Sequence, residues 1–203
     1  MSAAACWEEN QPQLPFEIVQ VLEGSMEQSI SNLQLLVAIP EWEVALPGGD
    51  TVSQTDILAI TRNQSGLVIL GVEAKVDEPF GPTLQEKRSG ASEGQLERIA
   101  YLEQELGRSV PFEGHIRYQL LHRTVSALLT ARAFHAPIAV MLIHSFSLFS
   151  KWRDDFETFC QGLGCTSLSQ DLREVSNIEG PRLILGWCKG NEKYLGIELP
   201  SAF

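Results

Sequence analysis

Three side chains in the first half of the chain have the types and the spacing that metal-assisted chemistry requires. Asp56 lies in the segment TDILAIT, and Glu73 and Lys75 lie in the segment LVILGVEAKV. The residues at 63–66 between the two segments, Asn-Gln-Ser-Gly, are typical of turns. The two segments are therefore predicted to be the strands of a β-hairpin.

The predicted hairpin brings the two carboxylates together. In an unbulged antiparallel hairpin, residues whose numbers have the same sum lie opposite each other. Asp56 and Glu73 share the sum of Arg62 and Leu67, the residues that flank the turn. We therefore expect the Cβ atoms of Asp56 and Glu73 to lie about 4.5–5.5 Å apart. Lys75 comes two residues after Glu73 and projects from the same face of its strand.

Apolar residues surround this set on both strands, so its carboxylates pay for desolvation and repel each other. A divalent cation offsets both costs, and Mg²⁺ is commonly held by one or two carboxylates together with waters and phosphate. Beside such an ion, Lys75 can orient or deprotonate a water or stabilise developing negative charge. The set thus indicates metal-assisted attack of water on a phosphodiester. The alternative is a salt-bridge cluster with no chemical role.

The elements that must position these residues are predicted to form one α/β domain over residues 1–203, with an irregular lead-in at 1–15. The strands of the hairpin are apolar on both sides, which favours a sheet covered by helices on both faces. Helices are predicted at 25–37, 95–106, 114–134 and 151–163. Strands are predicted at 42–46, 55–61, 67–76, 137–146, 182–188 and 194–199.

Charge is distributed unevenly along the chain. The net charge is −11, and residues 1–61 contain nine acids and no Lys or Arg. Residues 114–153 contain no acid, and this basic stretch can contact phosphate even in an acidic protein. A chance clustering around a buried helix and strand is the alternative. The stretch holds all four histidines and five basic residues: His115, His122, His135, His144, Arg117, Arg123, Arg132, Lys151 and Arg153.

The sequence also predicts a cytoplasmic location with no membrane partner. Its start has no basic segment followed by an apolar run, and no segment reaches the roughly 18 consecutive apolar residues of a membrane span. The four cysteines form no C-x-x-C pair, and no histidine follows Cys160 and Cys165 closely in sequence. Free thiols in a reducing compartment are therefore expected, rather than disulfides or a zinc site.

The motifs resemble those of a known superfamily. QTDILAI followed by VEAK on adjacent predicted strands resembles the D-x(n)-(D/E)-x-K core of the PD-(D/E)XK nucleases. GVEAKVDEPFG and RYQLLHRT resemble an uncharacterised bacterial group within that superfamily. The resemblance covers roughly residues 25–150. It implies a restriction-endonuclease-like fold, with a central mixed sheet flanked by helices on both faces.

The resemblance also implies roles for individual residues. Asp56 and Glu73 would be ligands of Mg²⁺ or Mn²⁺, and Lys75 would be the catalytic lysine. A glutamate on the first helix is a further ligand in many members, and Glu27 is the best-placed candidate, with Glu23 behind it. Thr55 stands where the motif has proline.

A second predicted contribution comes from the helix at 114–134. Several subgroups carry a catalytic glutamine there, often in Q-x-x-x-Y, and Gln119 matches it although Arg123 replaces the tyrosine. Gln119, His122 and Arg123 share one helix face. Together with Arg117, the residues His122 and Arg123 are predicted to bind the phosphates of the substrate.

Three functions follow from this sequence, the third and weakest of which is a metal-dependent enzyme that acts on another phosphate ester. The first is a metal-dependent nuclease that hydrolyses phosphodiester bonds in DNA or RNA. The second is a catalytically silent protein of the same fold, acting as an interaction or regulatory subunit, which the acidity of the chain favours. The resemblance is compatible with a homodimer in either case.

Overall fold

A single seven-stranded mixed sheet organises the protein, whose computed structural model describes residues 2–195. The strand order is β1-β2-β3-β4-β7-β6-β5. Strands β1 to β3 are antiparallel, β3, β4 and β7 are parallel, and β6 and β5 return antiparallel. The prediction of an α/β protein with a mixed sheet is confirmed. The strands are β1 (Gln34–Val44), β2 (Ser53–Asn63), β3 (Gly66–Lys75), β4 (Ile138–Ser145), β5 (Thr166–Ser167), β6 (Leu172–Val175) and β7 (Arg182–Lys189).

In the described part of the chain, six α-helices pack around this sheet in two layers. Residues of α1 and α2 join the core on one face, and residues of α3, α4, α5 and α6 join the core on the other. None of these helices, within residues 2–195, has the length and apolar character required to cross a membrane. The helices are α1 (Ser2–Asn10), α2 (Phe16–Glu23), α3 (Leu84–Arg88), α4 (Glu93–Glu105), α5 (Tyr118–Ala133) and α6 (Arg153–Leu163).

Successive side chains of the central strands β2 and β3 point alternately into the two hydrophobic cores, one on each face of the sheet. Leu58 and Ile69 pack towards the α5 layer, whereas Ala59 and Leu70 pack towards the layer of α1 and α2. All eight residues of β4 are buried, as expected for a parallel strand covered on both faces. The alternation assigns each side chain near the end of β3 to a known face of the sheet.

The hairpin of β2 and β3 has the predicted register. Arg62 pairs with Leu67 and Ile57 pairs with Val72, so every pair has the predicted sum. Asn63 Nδ2 also donates to three backbone carbonyls of residues 28–31, which fixes the turn against the preceding segment. The local turn chemistry and the apolar pattern therefore determine this part of the fold.

Two predictions for the first forty residues are wrong. Residues 2–10 of the predicted irregular lead-in form α1, whose Trp7 is buried against the sheet. The predicted helix at 25–37 contains a single 3-10 turn, Gln28–Ile30, and then the start of β1. Met26 and Asn32 have positive φ angles, which interrupt any helix there. The apolar run of residues 35–39 pairs with β2 instead.

Smaller differences occur later in the chain. The predicted loop after β3 contains the short helix α3, which Thr83 begins with a capping box. The predicted helix at 114–134 begins only at Tyr118, and β5 and β6 were not predicted. Of the predicted strand at 194–199, Tyr194 lies in a 3-10 turn (Glu192–Tyr194), and residues 196–199 lie outside the described residues.

Candidate active site around Glu73

Glu73 is a buried carboxylate near the end of β3, and it accepts hydrogen bonds from three side chains. Its Oε1 accepts from Lys75 Nζ at 2.8 Å and from Gln119 Nε2 at 2.6 Å. Its Oε2 accepts from Arg123 Nε at 2.5 Å. Glu73 is only 2% exposed, so these charged contacts lie away from bulk solvent. The structure thus joins four of the predicted site residues directly.

Asp56 lies beside this cluster, where β2 and β3 cease to pair. The ladder ends at Ile57 and Val72, one step before Asp56 and Glu73 would pair. The Asp56 Oδ2 atom instead accepts a hydrogen bond from the backbone N–H of Ala74 at 2.7 Å. Oδ1 accepts no hydrogen bond from any residue within 2–195. The side chain of Asp56 therefore takes the place of a backbone hydrogen bond between β2 and β3. This contact holds the carboxylate in position and leaves Oδ1 free to bind a ligand.

Helix α5 delivers Gln119 and Arg123 to Glu73 because the two residues are one helical turn apart. The helix lies close to β3, where Gly71 faces Ala127. A Cβ built on Gly71 would be 3.1 Å from the Cβ of Ala127. The absence of a side chain at Gly71 therefore lets α5 approach the strand, two residues before Glu73.

A polar chain extends the cluster beyond Glu73. Arg123 Nη1 donates to Ser53 Oγ at 3.1 Å, and Ser53 Oγ lies 2.9 Å from His122 Nδ1. Burial, followed by the nearby cations Arg123, Arg98, Lys87 and Lys75, lowers the pKa of His122 to about 3. His122 is therefore neutral at physiological pH.

Opposing influences act on the ionisation of Glu73. Burial raises the pKa of Glu73, the cation Arg123 lowers it, Asp56 raises it and Lys75 lowers it, and the net direction is upward. The three neighbouring side chains nevertheless act only as donors towards Glu73. The cations of Lys75 and Arg123 have no acceptor for a protonated carboxyl group, so this geometry suits the carboxylate form.

Two cavities flank the cluster. A cavity of about 520 Å³ is lined by Asp56, Lys75 and Glu78, and also by Trp7 of α1 and Phe146. A second cavity, of about 360 Å³, lies on the side of α5. Its polar lining includes Ser53, Lys87, Arg98, Tyr118, His122 and Arg123. Asp56 and Lys75 therefore border space that is large enough for a ligand.

The structure does not bring Glu27 to this site. Glu27 Oε2 lies 3.5 Å from Arg182 Nη1, and Arg182 pairs with Ile138 at the start of β4. Glu73 pairs with Ile143, five residues further along β4, or about 17 Å at roughly 3.3 Å per residue. The expected role of Glu27 as a further ligand thus has no geometric basis, and Glu23 is an exposed residue at the end of α2.

Arg117 is also held elsewhere. Its Nε donates to Asp155 at 2.8 Å, its Nη1 donates to the carbonyl of Gly81, and its guanidinium lies over the ring of Trp152. These contacts tie the start of α5 to α6. The structure therefore gives Arg117 a bridging position, whereas Arg123 contacts Glu73 directly.

The five basic residues of the stretch at 114–153 all form ion pairs with acids from outside it. A stretch without acids attracts acids from the rest of a protein whose net charge is −11. The predicted basic patch is consequently neutralised within the fold. The pairs are Arg117–Asp155, Arg123–Glu73, Arg132–Glu105, Lys151–Asp77 and Arg153–Asp171.

The donor set at the site fits a hard divalent cation. Asp56 and Glu73 offer only oxygen. Asp56 Oδ1 accepts no hydrogen bond within residues 2–195, and Asp56 Oδ2 and Glu73 Oε2 each accept one, so these three oxygens keep an acceptor position, whereas Glu73 Oε1 already accepts two hydrogen bonds. No third Asp, Glu, His or Cys joins them within residues 2–195, where the one group of three such residues lies elsewhere. Any remaining ligand positions would be filled by water or substrate, as is usual for Mg²⁺.

Sequence reasoning missed Ser53, which connects Arg123 to His122. A serine at the start of a strand is too common to signal this role. It also missed a second polar cluster on the other face of the sheet, formed by Cys6, Glu17 and His144. His144 comes more than a hundred positions after Cys6 and Glu17, so only the fold brings the three together.

The fold and the site define a mixed α/β protein with a buried, positively surrounded carboxylate at one end of its sheet. The chain belongs to the family described as "Domain of unknown function (DUF6946)", which matches residues 1–192. No curated protein and no solved structure matches the chain.

Proposed function

We propose that the protein is a metal-dependent nuclease of the PD-(D/E)XK type, with a restriction-endonuclease-like arrangement of its sheet and helices. The observation that carries the proposal is the direct contact of Glu73 with Lys75 and Gln119, beside Asp56. These residue types are the ones that the superfamily resemblance assigns to catalysis. The mixed sheet with helices on both faces is consistent with that resemblance.

Asp56 and Glu73 would hold Mg²⁺ or Mn²⁺. When bound, such an ion neutralises charge on the phosphate and activates water as the nucleophile. Lys75 borders the cavity of about 520 Å³, so its ammonium group can meet a phosphodiester oxygen that enters there. Gln119 and Arg123 orient the Glu73 carboxylate from α5. His122, neutral at physiological pH, adds a hydrogen-bonding group without charge at the second cavity.

A catalytically silent role is the second candidate, and one observation favours it. Both oxygens of Glu73 already accept from cations, Lys75 on one and Arg123 on the other. A buried carboxylate compensated in this way requires no metal for its stability. In this reading the cluster fixes α5 to β3, and the protein acts through a partner.

Nuclease assays on matched variants distinguish the two roles. The purified chain would be incubated with Mg²⁺ or Mn²⁺ and single- and double-stranded DNA and RNA, in parallel with Asp56→Asn and Lys75→Met. Asp77→Asn serves as the control, because Asp77 is an exposed acid two residues after Lys75 that contacts Ser147 and Lys151. Circular dichroism would verify that all variants are folded.

We expect cleavage by the wild type and by Asp77→Asn, inhibition by a chelator, and loss of at least about a hundredfold in the two site variants, in line with the loss of a general acid–base group. Equal cleavage by all four proteins would indicate a contaminating nuclease. Intact substrates throughout, with both metals, would support the silent role.

A further inference from the structure

A second cluster of chemically capable side chains lies on the opposite face of the sheet from Glu73. Cys6 of α1, Glu17 of α2 and His144 of β4 offer one ligand atom each, and these atoms lie within 4.8 Å of one another. His144 pairs with Ala74 in the ladder, so its side chain projects from the face opposite to Glu73 and Lys75. The cluster is therefore separate from the proposed nuclease site.

The contact of His144 with Glu17 is long for a hydrogen bond, and both distances from Glu17 are suitable for metal ligands. Glu17 Oε1 lies 3.4 Å from Cys6 Sγ and 3.4 Å from His144 Nε2. Charge-assisted hydrogen bonds to carboxylates are usually about 2.7–2.9 Å. Ligands around tetrahedral zinc, with Zn–S of about 2.3 Å and Zn–N or Zn–O of about 2.0–2.1 Å, lie about 3.3–3.6 Å apart. The observed separations match the second geometry.

The imidazole of His144 is the least satisfied group in the cluster. The residue is fully buried, and its Nδ1 has no hydrogen-bond partner within residues 2–195. Among the same residues, its Nε2 makes a single polar contact, the long one with Glu17. Leaving a buried polar group without a partner costs about 1–3 kcal/mol. A metal ion bound at Nε2, the nitrogen that faces Glu17, would satisfy that atom but not Nδ1, and histidine is the commonest metal ligand.

Cys188 of the neighbouring strand lies next to the cluster, although its Sγ is not among the ligand atoms that lie within 4.8 Å of one another. Cys188 is the register partner of His144 in the parallel pair of β4 and β7, so the two side chains project from the same face. Cys188 is buried in the same core as Cys6.

We propose that Cys6, Glu17 and His144 bind one Zn²⁺ ion, and that the side chain of Cys188 rotates towards the ion to supply the fourth ligand. The donor set of two sulfurs, one nitrogen and one oxygen is soft enough to select zinc over Mg²⁺. Four protein ligands close the coordination shell, so this site has a structural role. It links α1 and α2 to the two central parallel strands.

A thiol nucleophile is the other chemistry that a Cys-His-Glu group suggests, and the burial of the cluster opposes it. Cys6 and His144 are fully buried, so no substrate reaches them. Burial, together with Glu17, raises the pKa of the Cys6 thiol to about 12. A catalytic cysteine needs the opposite environment, exposed and with a lowered pKa.

Metal binding by the whole chain tests the proposal. Protein stripped with a chelator would be titrated with Zn²⁺ in competition with a chromophoric chelator and with Co²⁺ by absorption spectroscopy. We expect one equivalent of Zn²⁺ and a thiolate-to-cobalt charge-transfer band. Changes outside the ligand shell typically cost 10–100-fold in affinity, so Cys6→Ser and Glu17→Gln should each weaken binding by about 100-fold or more.

Two controls locate the site. Cys165→Ser removes a cysteine from the opposite side of the sheet, and Asp56→Asn removes a ligand of the proposed nuclease site. Both should bind Zn²⁺ as the wild type does, whatever the outcome of the nuclease assays. Absence of binding by the wild type, or unchanged binding by both Cys6→Ser and Glu17→Gln, would overturn the zinc site.

X-ray absorption on the zinc-loaded wild type requires no variant to fold. We expect a shell with two sulfurs at about 2.3 Å and two lighter atoms at about 2.0 Å. One sulfur would remove Cys188 from the ligand set. A shell without sulfur would contradict the proposal.

Discussion

A buried carboxylate such as Glu73 depends on its neighbours more than an exposed one does. Desolvation opposes its charge, and the contacts with Lys75, Gln119 and Arg123 offset that cost. The same contacts hold its oxygens in fixed positions, as binding of a metal or a substrate requires. At the scale of the residue, a stabilising ion cluster and a preorganised active site therefore have the same geometry, and only assays separate them.

The residue pairs that depend on local rules could be predicted from the sequence. The placement of Asp56 beside Glu73 follows from turn residues and strand alternation. The contact of Arg123 with Glu73 could not be predicted, because it depends on how closely α5 packs on β3. The proximity of Ser53 to His122, and of Cys6 to His144, also depends on tertiary packing and could not be predicted.

His122 makes stability depend on pH. Its pKa is about 3 in the folded protein and about 6.5 when unfolded, so between these values the unfolded chain binds a proton that the folded chain does not. The stability present above pH 6.5 is lost as the pH falls. In urea unfolding at pH 7 to 4, we expect His122→Gln to reduce this loss by up to about 1.4 kcal/mol per pH unit.

The matched control for this titration is His115→Gln. His115 is exposed, and its one ion pair within residues 2–195 joins it to Glu113, at 3.3 Å. The His115→Gln variant should show the same pH dependence of the free energy of unfolding as the wild type. The same pH dependence in His122→Gln would show that His122 does not titrate in this way.

At the scale of elements, the close contact of α5 with β3 sets the site. Prediction from the sequence succeeded where the apolar residues follow one clear periodicity, as in strands β2 and β3. Prediction failed for the start of β1. The apolar residues at 25–37 have helical spacing, but the apolar run at 35–39 also fits a strand, so the sequence is compatible with either element. Pairing with β2, which no local pattern encodes, determined the outcome.

Gly71 is expected to control this contact. Gly71→Val should destabilise the protein by about 1–3 kcal/mol, because its side chain overlaps Ala127 and pushes α5 away from Glu73. Denaturant unfolding measures the change. In a cycle with Gly71→Ala, Ala127→Gly should relieve part of the cost, and strict additivity of the two substitutions would argue against a direct contact.

At the scale of the whole molecule, the basic residues of the stretch at 114–153 are paired with acidic residues from other parts of the chain. The sequence shows an acidic beginning and a basic stretch, and the fold brings acids to each of the five basic residues of that stretch. Charge segregation along a sequence therefore says little about patches on the surface unless the partners are known. If the protein binds nucleic acid, these cations must be released from their acids or bind phosphate beside them.

The outer strand β1 carries a proline, Pro40, opposite Ile57. Proline has no N–H, and within a sheet it is tolerated at an edge, where its nitrogen faces solvent. Because the open edge of β1 also exposes Leu36 and Val37, it is a template for strand-to-strand association between copies, and the missing donor interrupts it. Pro40→Val should therefore give aggregation that rises with concentration in light scattering, whereas Pro40→Lys, which restores the donor but adds charge, should remain dispersed. If both variants and the wild type scatter light equally at every concentration, Pro40 does not protect the edge of β1 from strand-to-strand association.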